Sequence, residues 1–255
     1  AAAYLTGSWS QAYDLPAMPV DGILIGTAAM ATKEAKTSEA VKQLLVETKG
    51  IDTWVGAGDA AGGMASGRSQ LGADIHEIDN SFAKAGRLLD EVAGDEEAVA
   101  ARRAEIIKAI AKTAKPYFGD VATMSYQQWL NRYLELSGPY EGNWTDLSWF
   151  KRFTQMLGRA EARLIDQDHG EFVPAVALEV TDDPAEAVEK LVATYPLAAS
   201  EVLHPADIAW FMELAKTPGK PVNFVPVIDK DVRRWWRSDS LWQSHDERYD
   251  ADQVA

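Results

Sequence analysis

Val20-Asp21-Gly22-Ile23-Leu24-Ile25-Gly26 is a short apolar run closed by glycine. Without polar alternation, such a run reads as a strand buried on both faces, the pattern of a parallel sheet. Ahead of it, Ala1 to Tyr13 reads as a helix, with Pro16 and Pro19 marking the connecting loop. Behind it, Thr37 or Ser38 can cap a helix that carries Val41, Leu44 and Leu45 on one face. The expected opening is helix, strand, helix, the end of a βα series whose earlier members would lie upstream of residue 1. Residue 1 is Ala rather than Met, which fits a chain cut from something longer.

Further along, the texture changes twice. Gly50, Gly56, Gly58, Gly62, Gly63 and Gly67 predict a loop without regular structure over 51–70. From about Leu71 to Leu164 the apolar spacing of three and four predicts helices and no sheet. One starts at Asp95-Glu96-Glu97 and runs through Ile106, Ile107 and Ile110 to a stop at Lys115-Pro116. Ser125 is placed to cap another, bearing Trp129, Tyr133 and Leu134 and ended by Gly138-Pro139; Trp149, Phe153, Met156 and Leu157 line the next. Asp166, Asp168, Gly170 and Pro174 mark a boundary over 166–183. Asp183-Pro184-Ala185-Glu186 then opens a helix to Tyr195, with Asp as cap, Pro in the first position and Glu at the third. A strand at 201–204, a helix at 206–216 and a strand at 222–228 complete a small α/β unit. A (β/α)₈ barrel needs eight strands. About four are offered here, so the chain cannot be a whole barrel.

Charge and composition exclude several roles. Lys and Arg total 25 against 39 for Asp and Glu, a net charge of −14 over 255 residues. That surface repels phosphate backbones and anionic lipid, which argues against nucleic acid and membrane partners. The absence of cysteine excludes disulfides and thiolate metal sites, and fits a cytoplasmic location. No apolar run approaches a membrane span of ~20 residues.

Gly26 and Thr27, at the end of the expected strand, are the leading site candidates. Glycine lets a phosphate approach the backbone, and the N–H groups of the following turn can donate to it; a plain strand-to-helix turn is the alternative. The loop Gly62-Gly63-Met64-Ala65-Ser66-Gly67-Arg68-Ser69 has the glycines and the cation of an anion-binding loop, or of a flexible connector. Its spacing is neither Walker nor Rossmann. His76, His169, His204 and His245 are too dispersed for a metal motif, and His76 reads as an ordinary helix residue. Arg233-Arg234-Trp235-Trp236-Arg237 has the cations and rings of a nucleic-acid surface. The overall acidity opposes this, and Trp235, Trp236 and Trp242 are expected to pack against a neighbouring domain.

The run from Asp21 to Glu34, DGILIGTAAMATKE, resembles the last barrel strand of flavin-dependent enoyl reductases and their nitronate monooxygenase relatives. GGMASGRSQLGADIHEIDN, from Gly62 to Asn80, is similar to the enoyl reductase region of type I fatty acid synthases of the mycobacterial and corynebacterial kind. Lys115-Pro116-Tyr117-Phe118-Gly119-Asp120 and the segment from Lys220 to Tyr249 resemble the same polypeptide further along. The resemblance implies a mainly α fold with α/β parts. Residues 1–50 would be the last strand and helices of a flavin-binding TIM-type barrel, and 51–70 the glycine-rich loop. A helical extension over 71–165 and a small α/β scaffold unit over 172–255, leading towards the dehydratase region, would follow. It further implies FMN and NADPH or NADH as cofactors and an enoyl-acyl carrier protein substrate. The remaining partners would be other domains of the same synthase, in a homo-oligomer of hexameric kind. Gly26 and Thr27 would be backbone donors to the FMN phosphate, with Ser66, Gly67 and Arg68 bordering the site. The family's phosphate loop and its histidine-bearing catalytic motif do not occur in this sequence, so no catalytic residue is carried over. An inactive scaffold or interdomain segment of the assembly is the alternative.

Overall fold

The protein is described by a computed structural model covering residues 2–50, 54–68, 72–113, 115–137, 147–165, 176–216 and 222–236. It divides into two compact units, Ala1–Asp79 and Asn80–Ala255.

In the first unit the expected opening helix is broken. Helix α1 (Ala2–Thr6) stops at Gly7, and a 3₁₀ turn follows over Ser8–Tyr13. Gly7 has φ +76°, and a Cβ there would lie 2.4 Å from the Pro19 nitrogen, so only glycine fits. The loop to residue 20 folds back on this turn: Met18 N–H donates to the Gly7 carbonyl and the Trp9 indole N–H to the Met18 carbonyl (2.8 Å). Residues 20–26, read as a buried strand, belong to no sheet. Ile23, Leu24 and Ile25 are 39, 100 and 55% exposed. The physical reason is that a parallel strand needs hydrogen-bonding neighbours on its edges, and no described residue supplies one. One turn, α2 (Thr27–Met30), leads on to α3 (Glu39–Glu47), which Ser38 caps as expected. Val41 and Leu44 on α3 are exposed.

The glycine-rich stretch is not the loop expected over 51–70. It contains β1 (Ala60–Ala61) and β2 (Met64–Arg68), which pair antiparallel around Gly62-Gly63. Both glycines have positive φ (58° and 81°), the requirement of a two-residue type I′ hairpin. Strand β3 (Asp74–Ile78) pairs antiparallel with β2 in the register Ser66↔His76. The stretch after Leu71 therefore opens with a strand, where a sheet-free helical interval was expected. Burial along Asp74-Ile75-His76-Glu77-Ile78 alternates with period 2, but Ile75 and Ile78 stand at the i, i+3 spacing of a helix, which the sequence reading followed.

The second unit is helical. Asn80 caps α4 (Ser81–Val92) and Asp95 caps α5 (Glu96–Ala101), each through a side-chain oxygen accepting from a backbone N–H (2.9 and 3.0 Å). The expected continuous helix breaks at Arg102 and resumes as α6 (Arg103–Ile110). Ser125 and Gln128 make reciprocal bonds that start α7 (Tyr126–Ser137). Then come α8 (Leu147–Leu164), α9 (Pro184–Thr194), α10 (Pro205–Lys216) and α11 (Val232–Trp236). Asp183 and Pro184 start α9 as expected.

The strands expected at 201–204 and 222–228 reduce to single bridges, Ser125↔Val202 and Tyr117↔Val225. Among its described residues the second half therefore builds no sheet of its own, because each extended segment finds its partner in the preceding helical stretch. One apolar cluster runs from Phe118 through Trp129, Tyr133 and Phe153 to Leu191, Phe211 and Phe224, across the expected boundary at 166–183. A second gathers Leu89, Ile106, Ile110, Val225, Val232 and Trp236. Phe224 and Val225 enter different clusters, as the alternation of extended backbone dictates. Gly138-Pro139, residues 166–175, His169, Arg237, Trp242 and His245 lie outside the described residues.

Trp129 is fully buried, with its ring edge-on to Phe211 at 5.4 Å and to Tyr126 at 6.4 Å. Trp129→Ala should cost about 3–5 kcal/mol through the cavity it leaves. Urea unfolding followed by circular dichroism should show a lower midpoint with an unchanged m-value. An unmoved midpoint would place Trp129 outside the core.

Candidate functional site

Gly26 and Thr27 stand where the apolar segment turns into α2. Ala29 N–H is taken by the Gly26 carbonyl (3.0 Å), while the N–H groups of Thr27 and Ala28 precede the first intrahelical bond. A Cβ added at Gly26 would meet nothing within 4 Å, so the backbone is open to an approaching group.

The hairpin gathers the other candidates of the first unit. Ser66 is only 6% exposed, and its Oγ has no hydrogen-bond partner among the described residues. Its backbone N–H donates to the Asp59 carbonyl (2.9 Å), and its carbonyl accepts from Gly58 (2.8 Å). Cross-strand pairing sets Ser66 and His76 on one face of the sheet. His76 Nε2 lies 3.1 Å from the Val55 carbonyl. A carbonyl only accepts, so Nε2 carries the proton and Nδ1 is left as an acceptor. Trp54 meets the imidazole edge-on at 4.5 Å. His76 is thus a strand residue where a helix residue was expected. Its Nε2 is held by a carbonyl, and among the described residues no carboxylate orients the ring, so the pair forms no nucleophilic triad there. Arg68 pairs across the strands with Asp74 (3.1 Å) in the open, an ion pair of small energetic weight. Gly67, between them, faces Ile75 in the register.

In the second unit, His204 Nδ1 accepts from Ala206 N–H (3.1 Å) and serves the start of α10. The expected packing of Trp236 against another domain is not found. Its ring stacks on Phe82 at 4.0 Å and its indole N–H donates to Thr113 Oγ1 (3.3 Å), inside its own unit. Trp235 packs on the same cluster, and Arg233 pairs with Asp90. Among the described residues no cluster of His, Asp or Glu is arranged to hold a metal ion, and no helix is long and apolar enough to cross a membrane.

The polar centre that sequence reading missed is Asp207, 0% exposed on α10. Arg159 Nε (2.7 Å) and Arg163 Nε (3.0 Å) from α8 and the Tyr126 hydroxyl (2.5 Å) from α7 all donate to it. Burial raises the Asp207 pKa, but the donated bonds from Arg163, Tyr126 and Arg159 outweigh it and hold the carboxyl below its usual value. Burial, then the bond to Asp207, pushes Tyr126 up to about 12. Arg159 also lies over the Trp210 ring at 5.0 Å. His-Pro-Ala-Asp at 204–207 reads as an ordinary helix start; the i, i+4 pair Arg159 and Arg163 was the available signal.

These features define an α-helical unit and a hairpin-bearing unit. The family described as "Fatty acid synthase subunit beta/Fas1-like, helical" matches residues 1–255, and the chain belongs to it. It is 35% identical over 263 residues to a fatty acid synthase beta subunit, pigK, of Monascus ruber, covering 95% of this chain and 13% of that protein. Similarity to the fatty acid synthase beta subunit of Saccharomyces cerevisiae is 34% over 260 residues, 94% of this chain and 13% of that protein. The beta subunit of Gibberella zeae is 35% identical over 264 residues, 95% and 12%. The chain thus spans about an eighth of the length of these relatives. The synthase resemblance holds at the level of the family, and these relatives are of the fungal beta-subunit kind, not the mycobacterial and corynebacterial kind expected.

A carboxyl with a lowered folded pKa contributes stability above its unfolded value of about 3.9, and that stability is lost as pH falls through the folded value. The helical unit should therefore lose stability below about pH 4. Asp207→Asn should cost about 3–5 kcal/mol at neutral pH by leaving two guanidiniums unpaired, and should flatten the acid slope. Thermal unfolding of both proteins from pH 3 to 7 checks this; parallel slopes would remove Asp207 from the account.

Proposed function

We propose that the first unit belongs to the FMN-dependent enoyl-acyl carrier protein reductase of a fatty acid synthase beta subunit. In this reading residues 20–27 supply one strand and its phosphate-facing turn, and the barrel is completed by chain outside this sequence. The observation that carries it is the apolar segment 23–25, exposed and without a sheet partner among the described residues, directly ahead of the open Gly26-Thr27 turn. The family membership and the beta-subunit relatives support the synthase context.

The residues fit a phosphate group. Gly26 leaves the backbone open, and the N–H groups of Gly26 and Thr27 would hold the FMN phosphate. The bound flavin would supply hydride transfer, drawn from NADPH or NADH, to the enoyl thioester. This chain's part is positional: Gly26 and Thr27 fix the phosphate end, and Ser66, Gly67 and Arg68 border the site. Ser66 Oγ, buried without a partner, is available to a polar group of the completed site. The substrate is an acyl carrier protein-bound enoyl chain, and the parent is a hexameric, cytoplasmic assembly.

The scaffold reading applies to residues 80–236, where two apolar clusters and the Asp207 centre hold most of the buried side chains described. In the full-length beta subunit, Gly26→Asp sets a carboxylate against the phosphate, and flavin retained after dialysis should fall severalfold. The 255-residue chain alone should be colourless and should oxidise no nicotinamide cofactor with a short enoyl thioester, because in this reading the flavin floor and the family's histidine motif are not supplied by this sequence. Undiminished flavin in the Gly26→Asp parent, or turnover by the chain alone, would overturn the reading.

A further inference from the structure

A groove of about 300 Å³ runs between α4 and α6 on the second unit. Ala85, Leu88 and Ala109 give it an apolar floor, and the two alanines keep that floor recessed. Lys84 stands on one wall, with Lys108 and Lys112 on the other. All three are exposed, and among the described residues none of their ammonium groups has a hydrogen bond or ion pair. The lining carboxylate, Glu105, is held by Arg102, which donates to both its oxygens at 2.8 and 3.0 Å and also donates to Glu91. The rim thus carries three lysines against one carboxylate that is tied to an arginine, on a chain of net charge −14.

Helix electrostatics account for only part of this arrangement. Lys108 suits the negative end of α6. Lys84 stands in the first turn of α4, the end that repels cations, and faces two further ammonium groups across the groove. Like charges converging without a counter-charge cost stability, and an anionic occupant removes that cost.

We propose that this groove docks an amphipathic helix of a protein partner, its apolar stripe flanked on both sides by carboxylates. The geometry favours a helix over a single anion. The cations stand on both walls rather than at one point, and the lined length from Ser81 to Leu88 is about 10 Å, two helical turns. The inference is independent of the flavin reading.

The test uses the full chain and a fluorescein-labelled 14-residue peptide with Leu at i, i+3, i+7 and i+10 and Glu on both flanks of that stripe, followed by anisotropy. Saturable binding is expected at 50 mM salt, weakening severalfold at 300 mM as the rim charges are screened. Lys84→Glu with Lys108→Glu should weaken it at least about tenfold, while Lys108→Arg should retain it. Thermal midpoints should not fall, since all three lysines are exposed and Lys84→Glu removes a cation from the positive end of α4. No binding, equal binding by the double variant, or equal binding of a peptide with Lys in place of Glu would overturn the proposal. Displacement of the peptide by millimolar hexyl phosphate would assign the groove to a small amphiphilic anion and overturn it equally.

Discussion

A carboxylate shut away from water has to be paid for, and Asp207 shows how the helical unit is arranged around that requirement. An unpaired ion in such a place costs several kcal/mol. Its donors come from α7 and α8, while Asp207 itself lies on α10. The three helices can meet only in orientations that bring Tyr126, Arg159 and Arg163 to one point. The aromatic core is built alongside: Trp129 lies one turn from Tyr126, Phe211 one turn from Asp207, and the two rings meet at 5.4 Å. Apolar burial supplies the drive, and the charged centre selects one packing. Tyr126 couples the two, because its hydroxyl also accepts the His204 N–H (3.2 Å) and so fixes the entry to α10.

How far the fold was legible follows from the range of the interactions. Ser38, Asp95, Ser125 and Asp183 each begin a helix because a side-chain oxygen reaches an N–H two or three residues on, and such signals lie in consecutive sequence. The hairpin was misread because Gly62-Gly63 looks like loop composition, whereas two successive positive φ angles are what a tight β-turn demands. The extended segments near 202 and 225 were recognised as extended. Their partners, Ser125 and Tyr117, lie 77 and 108 residues away, a separation no local pattern encodes. The candidate site was legible in part. Ser66, Arg68 and His76 stand on paired strands, but the reading that singled them out assigned neither the strands nor their register. Asp207 escaped because its chemistry depends on arginines about 45 residues upstream.

The two units differ in how they satisfy their own apolar residues. Residues 80–236 bury Phe118, Phe153, Phe211, Phe224 and Trp236 in two clusters. The first unit leaves Leu15, Met18, Ile25, Val46 and Trp54 exposed beside the fully exposed Leu24. The chain spans about an eighth of its beta-subunit relatives. In the proposed reading, the missing partner of the first unit is the remainder of a barrel.

Amide hydrogen exchange over residues 20–27, compared between the 255-residue chain and the full-length beta subunit, tests this most directly. Strand formation within a completed barrel predicts fast exchange in the isolated chain and strong protection of Ile23, Leu24 and Ile25 in the full-length protein. Fast exchange in both would contradict the assignment of this segment as a strand of the flavin domain, and with it the reading of the Gly26-Thr27 turn.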